Sequence, residues 1–168
     1  ESTLIPAVLE RLQREAPDIA LDIMTPSDVS YLNVEQGKVD MVINRFDSMP
    51  QSFHQNTVWQ DSFSCLLSVD NPVLAGGFDL ESYLQAQHVW VSKTGMGVGV
   101  GVDPSAVQDL GWVDEALARL GRKRRITVFT RHYQVAVLLA RQKHLVVTVP
   151  SKLALLMRDN PRVAIKPP

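Results

Sequence analysis

The chain has 168 residues, 45% of them hydrophobic and 21% charged, the proportions of an ordinary globular domain long enough to bury a core. Its 17 basic and 18 acidic side chains leave a net charge of −1, which supplies no overall field to hold nucleic acid. No window approaches the ~20 apolar residues of a membrane span, and no charged-then-apolar leader opens the chain. The one cysteine, Cys65, excludes an internal disulfide and points to a reducing, cytoplasmic setting.

Leu4, Ile5, Val8, Leu9 and Leu12 recur at helical spacing, which predicts an amphipathic helix over residues 3–15. Ser2 or Thr3 is its expected cap, and Pro6 falls in a first turn whose N–H groups lack partners anyway. After the stop at Ala16-Pro17-Asp18, Ile19, Leu21 and Ile23 alternate with less apolar residues as in a short strand. A polar helix is expected over 28–36, ending at Gly37, and residues 39–43 read as a second, buried strand. Residues 45–56 are loop-like. The runs TVW and FSCLLSV within 57–69 fit consecutive strands, and Asn71-Pro72 with Gly76-Gly77 mark a turn and a lobe boundary.

A short helix over 80–84 and a strand over 88–91 come next. Gly95-Met96-Gly97-Val98-Gly99-Val100-Gly101 lacks both a following Lys-Ser/Thr and the GxGxxG spacing, so it reads as a flexible connection or as a pliable wall beside a pocket. Val113, Ala116, Leu117 and Leu120 mark a helix stopped by Gly121, and Arg122 to Arg125 read as a solvated turn. Then follow a strand over 126–129, a helix over 133–141 with Val135, Leu138 and Leu139 inward, and a strand over 145–149. A helix opening with Pro150 at its first position carries Leu153, Leu156 and Met157 on one face, and 162–165 suits a last short strand. This alternation predicts an α/β fold with helices packed on a largely parallel sheet.

Catalytic chemistry finds no support. His54, His88, His132 and His144 show no metal-ligand spacing, no GxSxG elbow occurs, Cys65 lies in an apolar run, and Asp40, Asp61 and Asp103 form no recognisable pair. The reading is therefore a binding domain, not an enzyme, with no metal and no cofactor. In open α/β folds ligands lodge at the carboxyl ends of strands, where helix starts present free N–H groups. Three junctions qualify: Ser2-Thr3, Thr130 to Tyr133, and Thr148 ahead of Pro150, each with donors suited to a carboxylate. Arg45, just after the second strand, adds a charge for a bidentate contact. Each has a plainer role open to it: Ser2 and Thr3 as caps, Thr148 as a strand end, His132 and Arg45 as solvated surface.

Three stretches carry a family resemblance. EQGKVDMVI is similar to a run in which a helix ends in Gly and an Asp opens a strand, PSAVQDLGWVDEALARLGRKRR resembles a second-lobe helix before a Gly-x-x-Arg-Arg turn, and FTRHYQVAVLLARQKHLVVTVPSKLA resembles a signature return to the first lobe. Together, over essentially the whole chain, they resemble the effector-binding domain of LysR-type transcriptional regulators. The form VDxxLxxLGRxRR followed by His and an aromatic residue is closest to the NodD-like branch, whose members sense flavonoids, nitroaromatics and related aromatic acids.

The resemblance implies two Rossmann-like lobes joined by two crossovers, as in type 2 periplasmic binding proteins, with lobe one at 1–67 plus 147–168, lobe two at 68–146, and a small-molecule effector, a carboxylate or aromatic compound, between them. Carried onto matching positions, the effector contacts fall at Ser2, Thr3, Arg45, Lys93, Thr94, Gly95, Met96, Thr130, Arg131, His132 and Thr148. Met96 stands where several aromatic-sensing relatives carry His, which favours a more apolar pocket, and the GVGVG stretch is a further departure from the family. The resemblance also implies a homodimer or homotetramer, DNA bound only through a winged helix-turn-helix domain outside this chain, and RNA polymerase as a partner of the parent protein. No membrane is involved. With no initiating Met and a helix start at its first residues, the chain reads as an excised domain of that parent. An extracytoplasmic solute receptor of the same fold is the alternative, and an enzyme on that fold a third reading.

Overall fold

The computed structural model describes residues 3–24, 31–44, 51–91 and 110–168. Of these, 3–24, 31–44 and 51–60 belong to a first compact unit, and 61–91 with 110–168 to a second.

In the first unit, α1 (Ile5–Glu15) forms on the expected apolar spacing, with a Pro in its first turn and an exposed Arg11–Glu15 pair at 3.0 Å. Leu4 holds its cap position without a side-chain cap bond, so Thr3 is not the cap residue, and Ser2 lies outside the described residues. α2 (Tyr31–Glu35) ends at Gly37, whose φ of 67° is left-handed. Residues 28–30 of that expected helix lie outside the described residues. The strands expected at 19–24 and 39–43 do not form, and Ile19, Leu21, Ile23, Met41 and Ile43 are exposed. Alternation marks a two-faced ribbon, but a strand exists only where a neighbour takes its backbone hydrogen bonds. The run at 57–59 is likewise not a strand.

In the second unit the apolar runs are denser, and those of the three inner strands are covered on both faces. They build one five-stranded sheet from β1 (Phe63–Ser68), β2 (Gln87–Val91), β3 (Arg125–Thr130), β4 (Leu145–Pro150) and β5 (Val163–Lys166). Its order is β3-β2-β4-β1-β5. β2 runs parallel to β3 and β4, while β1 lies antiparallel to β4 and β5. α3 (Leu80–Gln85) precedes β2, α4 (Trp112–Arg119) precedes β3, α5 (Tyr133–Leu139) crosses from β3 to β4, and α6 (Ser151–Ala154) follows β4. β4 and β5 share a ladder system with β1 and β2, so residues 147–166 pack with the residues before them in the same unit.

The period of two sorts the strands onto two cores. Leu66, Val89, Val147 and Val149 face α5 and α6, meeting Ala136, Val137, Ala140 and Ala154. Cys65, Leu67 and Val146 face the other way, meeting Tyr83 and Ala86 at α3 and Leu117 of α4. Two expected helix faces are thereby corrected. In α5 the buried residues are Ala136 and Val137, while Val135 and Leu138 are exposed, because small side chains let the helix lie close on the sheet. After β4, Pro150 is the cap rather than the first helical residue. A 3-10 turn over Leu155–Met157 then rotates Leu156 outward, while Leu153 and Met157 pack on the core.

Leu66 has no exposed surface and sits on the central antiparallel pair, so Leu66→Ala removes buried methyls from the packed core. The expected cost is about 2–5 kcal/mol, read as a shift of the urea midpoint at unchanged slope.

Candidate functional site

The parallel strands β2, β3 and β4 end at one edge of the sheet, and β1 starts there, because Phe63 pairs with Pro150. This carboxyl edge holds the Thr130-Arg131-His132 tip. Thr130 is half-buried, and its Oγ1 accepts the His132 N–H at 3.1 Å; Arg131 and His132 are exposed, with His132 at the cap of α5. Aromatic side chains that sequence reasoning passed over gather at the same edge. Phe63 lies 4.5 Å from Trp112, ring centre to ring centre, and Trp90 lies 5.7 Å from Phe129. The Trp90 indole N–H donates to the Leu110 carbonyl at 2.6 Å. Their only sequence signal is position: Trp90 and Phe129 are each the next-to-last residue of a parallel strand.

The other expected contacts divide. Thr3 is described, exposed, and belongs to the first unit. Ser2, Arg45, Lys93, Thr94, Gly95 and Met96 lie outside the described residues. Thr148 does not offer its hydroxyl at the strand end: the Oγ1 sits 3.2 Å from the Tyr83 Oη and 3.7 Å from the Cys65 Sγ. The start of α6 is closed by the chain itself. Ser151 N–H donates to the Ser62 carbonyl at 2.9 Å, and Lys152 N–H lies 3.3 Å from both Asp61 carboxylate oxygens. A ligand carboxylate at that helix start would have to displace Asp61, one of the residues that the sequence left without a role.

Behind the edge lies a buried polar network. Arg124 grips Asp114 with a fork, Nε to Oδ1 at 2.9 Å and Nη2 to Oδ2 at 2.6 Å, and its Nη1 donates to the Tyr83 Oη at 3.2 Å. The local cause is a Schellman-type stop after α4. Gly121, at φ 67°, donates to Ala118 and Arg122 to Leu117, which returns the chain beneath the helix it has just left. His88 is wholly buried, its ring centre 4.3 Å from that of Tyr83, and its Nε2–H donates to the Tyr83 carbonyl at 2.8 Å. That leaves Nδ1 as a lone-pair acceptor with no partner among the described residues. Burial, reinforced by the Arg124 charge, holds His88 down at about 4. Burial also raises the Cys65 thiol to about 11 and moves the Tyr83 phenol upward, against the pull of Arg124 and of Thr148. Neither a thiolate nor a phenolate is available near neutral pH. Among the described residues no group of three or more His, Cys, Asp or Glu could hold a metal, and no helix is long and apolar enough to cross a membrane.

Removing one partner of a buried ion pair strands the other charge, so Asp114→Ala is expected to cost about 3–5 kcal/mol in urea unfolding. His88 binds a proton more readily unfolded (ordinary value 6.5) than folded (about 4), so stability is lost as pH falls between those values, by up to about 3 kcal/mol. The urea midpoint is expected to drop between pH ~7 and ~4.5, and the drop to shrink in His88→Phe.

The whole chain, residues 1–168, matches the family described as LysR substrate binding domain. It is 26% identical over 167 residues to the HTH-type transcriptional regulator SyrM of Rhizobium meliloti (strain 1021), covering 98% of this chain and 47% of that protein. It is 25% identical over 155 residues to the HTH-type transcriptional activator NahR of Pseudomonas putida, covering 92% and 48%. The chain thus spans about half the length of the curated relatives it matches. Among solved structures, its fold resembles the regulatory domain of MexT, a transcriptional activator in Pseudomonas aeruginosa, with a TM-score of 0.73 at 24% identity over 99% of this chain and 74% of that one. It also resembles a probable transcriptional regulator from Pseudomonas aeruginosa, with a TM-score of 0.76 at 23% identity over 98% and 52%. In fold and in sequence, this chain belongs to the LysR substrate-binding domain family.

Proposed function

We propose that the chain is the effector-sensing domain of a longer bacterial transcription regulator, acting in the cytoplasm and not as an enzyme. The observation that carries this reading is the family match over every residue, joined to relatives whose names denote HTH-type regulators about twice as long. On this reading DNA is held by a winged helix-turn-helix domain outside the chain, the working form is a homodimer or homotetramer, and RNA polymerase is met by the whole protein.

The effector is a small carboxylate or aromatic compound. The carboxyl edge of the second unit supports that class: Phe63, Trp112, Trp90 and Phe129 provide apolar ring surface, and the Thr130–His132 tip provides donors beside it. Of the expected contacts, Thr130, Arg131 and His132 carry the proposal within the described residues, with Thr3, Ser2, Arg45 and Lys93 to Met96 as its further members. Thr148 serves through the strand that holds the edge, since its hydroxyl is engaged with Tyr83. Binding alters transcription only by its differential affinity for two arrangements of the assembly.

Calorimetric titration with a panel of aromatic and aliphatic carboxylates tests the assignment. At least one compound is expected to bind saturably, and His132→Ala and Arg131→Gln to weaken it about tenfold each, the worth of one charge-assisted hydrogen bond. Unchanged affinity in both variants contradicts the assignment of the edge.

A further inference from the structure

The buried polar network of the second unit has two arms. One runs from Tyr83 to Thr148 and ends in mid-sheet. The other runs from Arg124 to Asp114 and continues to the carboxyl edge, because Asp114 stands two residues after Trp112 in the first turn of α4. Trp112 is half-buried, with its ring 4.5 Å from that of Phe63, the first residue of β1.

The start of α4 has little else to hold it. The helix is eight residues long, and its cap position is Gly111, which brings no side chain to bond the first turn. Its other buried residue is Leu117, whose apolar contacts have no direction of their own. Two tethers bracket Trp112 instead. The Trp90 indole N–H donates to the Leu110 carbonyl at 2.6 Å, two residues before it, and the Arg124 fork closes on Asp114 two residues after it. One tether alone leaves a helix start free to pivot. A second that is planar and bidentate fixes its orientation as well as its position.

We infer that Arg124 and Asp114 are positioning residues for the effector: by fixing Trp112 against Phe63 they build a ring-binding wall, and so set a preference for aromatic over saturated carboxylates. The inference rests on the effector reading of the carboxyl edge. Both residues act through Trp112 and neither touches the effector. An aromatic ring gains from a neighbouring ring beyond the area it buries, provided the two meet in a stacked or tilted arrangement, whereas a saturated ring gains from the area alone. The preference is therefore lost when Trp112 moves, even if the pocket keeps its size.

The test pairs a spectrum with a titration. Labelling with 5-fluorotryptophan gives one fluorine resonance for each of the three tryptophans, Trp59, Trp90 and Trp112. Asp114→Leu with Arg124→Met exchanges the buried pair for apolar groups, a change that leaves stability near that of the parent chain, and Tyr83 keeps Thr148 as a partner. In this double variant the Trp112 resonance is expected to shift or split while that of Trp59 stays. Calorimetry with benzoate and cyclohexanecarboxylate is expected to show a preference for benzoate of about three- to tenfold in the parent chain, falling to about one in the variant. Arg124→Lys keeps the charge without the fork, and the same loss is expected of it. Leu66→Ala, destabilised through the other core, is expected to keep both the resonance and the preference. Variants that keep the preference, with Trp112 moved or not, overturn the inference. So does a parent chain that binds the two compounds equally. A parent chain that binds neither overturns the effector reading itself and the ring preference with it, so the two failures are told apart.

Discussion

Arg124 closes a buried fork on Asp114 and gives a third bond to Tyr83, and three elements are thereby fixed against one another: the start of β3, the first turn of α4, and α3. The energy of such a pair is largely offset by the cost of taking both charges out of water. Its effect is geometric. The apolar contacts of Leu117 and Ala86 with the sheet tolerate sliding, whereas a planar fork holds one distance and one orientation. The neighbouring electrostatics follow from the same buried charge, which opposes a proton on His88 and draws Cys65 and Tyr83 downward against their burial. Thr148 then receives the Tyr83 hydroxyl, so the network reaches the middle of the sheet and stops two residues short of the carboxyl edge.

The two edges of the sheet therefore differ in chemistry for reasons set by topology. Strand ends, aromatic rings and the Thr130–His132 tip share one edge because β2, β3 and β4 run parallel and β1 runs back against them. The entries to β3, β4 and β5 share the other, and unpaired cations concentrate there. A net charge near zero says nothing of this division. It averages an aromatic edge and a basic edge.

The second unit was largely legible in the sequence. FSCLLSV, HVWV and LVVTV carry enough consecutive apolar residues to be buried on both faces, ITVF alternates exposed and half-buried residues at the sheet edge, and each became a strand within a residue or two of its expected ends. What was not legible depended on long-range geometry. Arg124 lies in GRKRR, a run that looks solvated, and only the Gly121 turn reveals that one of its arginines points back to Asp114. Thr148 was placed on the right strand, but periodicity cannot say which face α3 will cover, and so where the hydroxyl goes. In α5 Leu139 packed on the core as expected, but Val135 and Leu138 turned outward and Ala136, Val137 and Ala140 made the closest contact. In the first unit the alternation at 19–24 and 39–43 was real, but alternation supplies no neighbouring strand. Of the carboxyl edge, the strand-to-helix junction at Thr130 to His132 lies where the sequence put it, whereas the aromatic residues at its side carried no signal beyond their place next to strand ends.

The most direct measurement of the central claim, that the carboxyl edge of the second unit receives the effector, is a residue-resolved map of amide chemical shifts during titration with aromatic and aliphatic carboxylates. The account predicts that a binding compound shifts Thr130 to Tyr133 and the amides around Phe63, Trp90 and Trp112, while Gln85 to Gln87 and Arg141 to His144 stay fixed. Shifts confined to that opposite edge, or none with any compound, would contradict it.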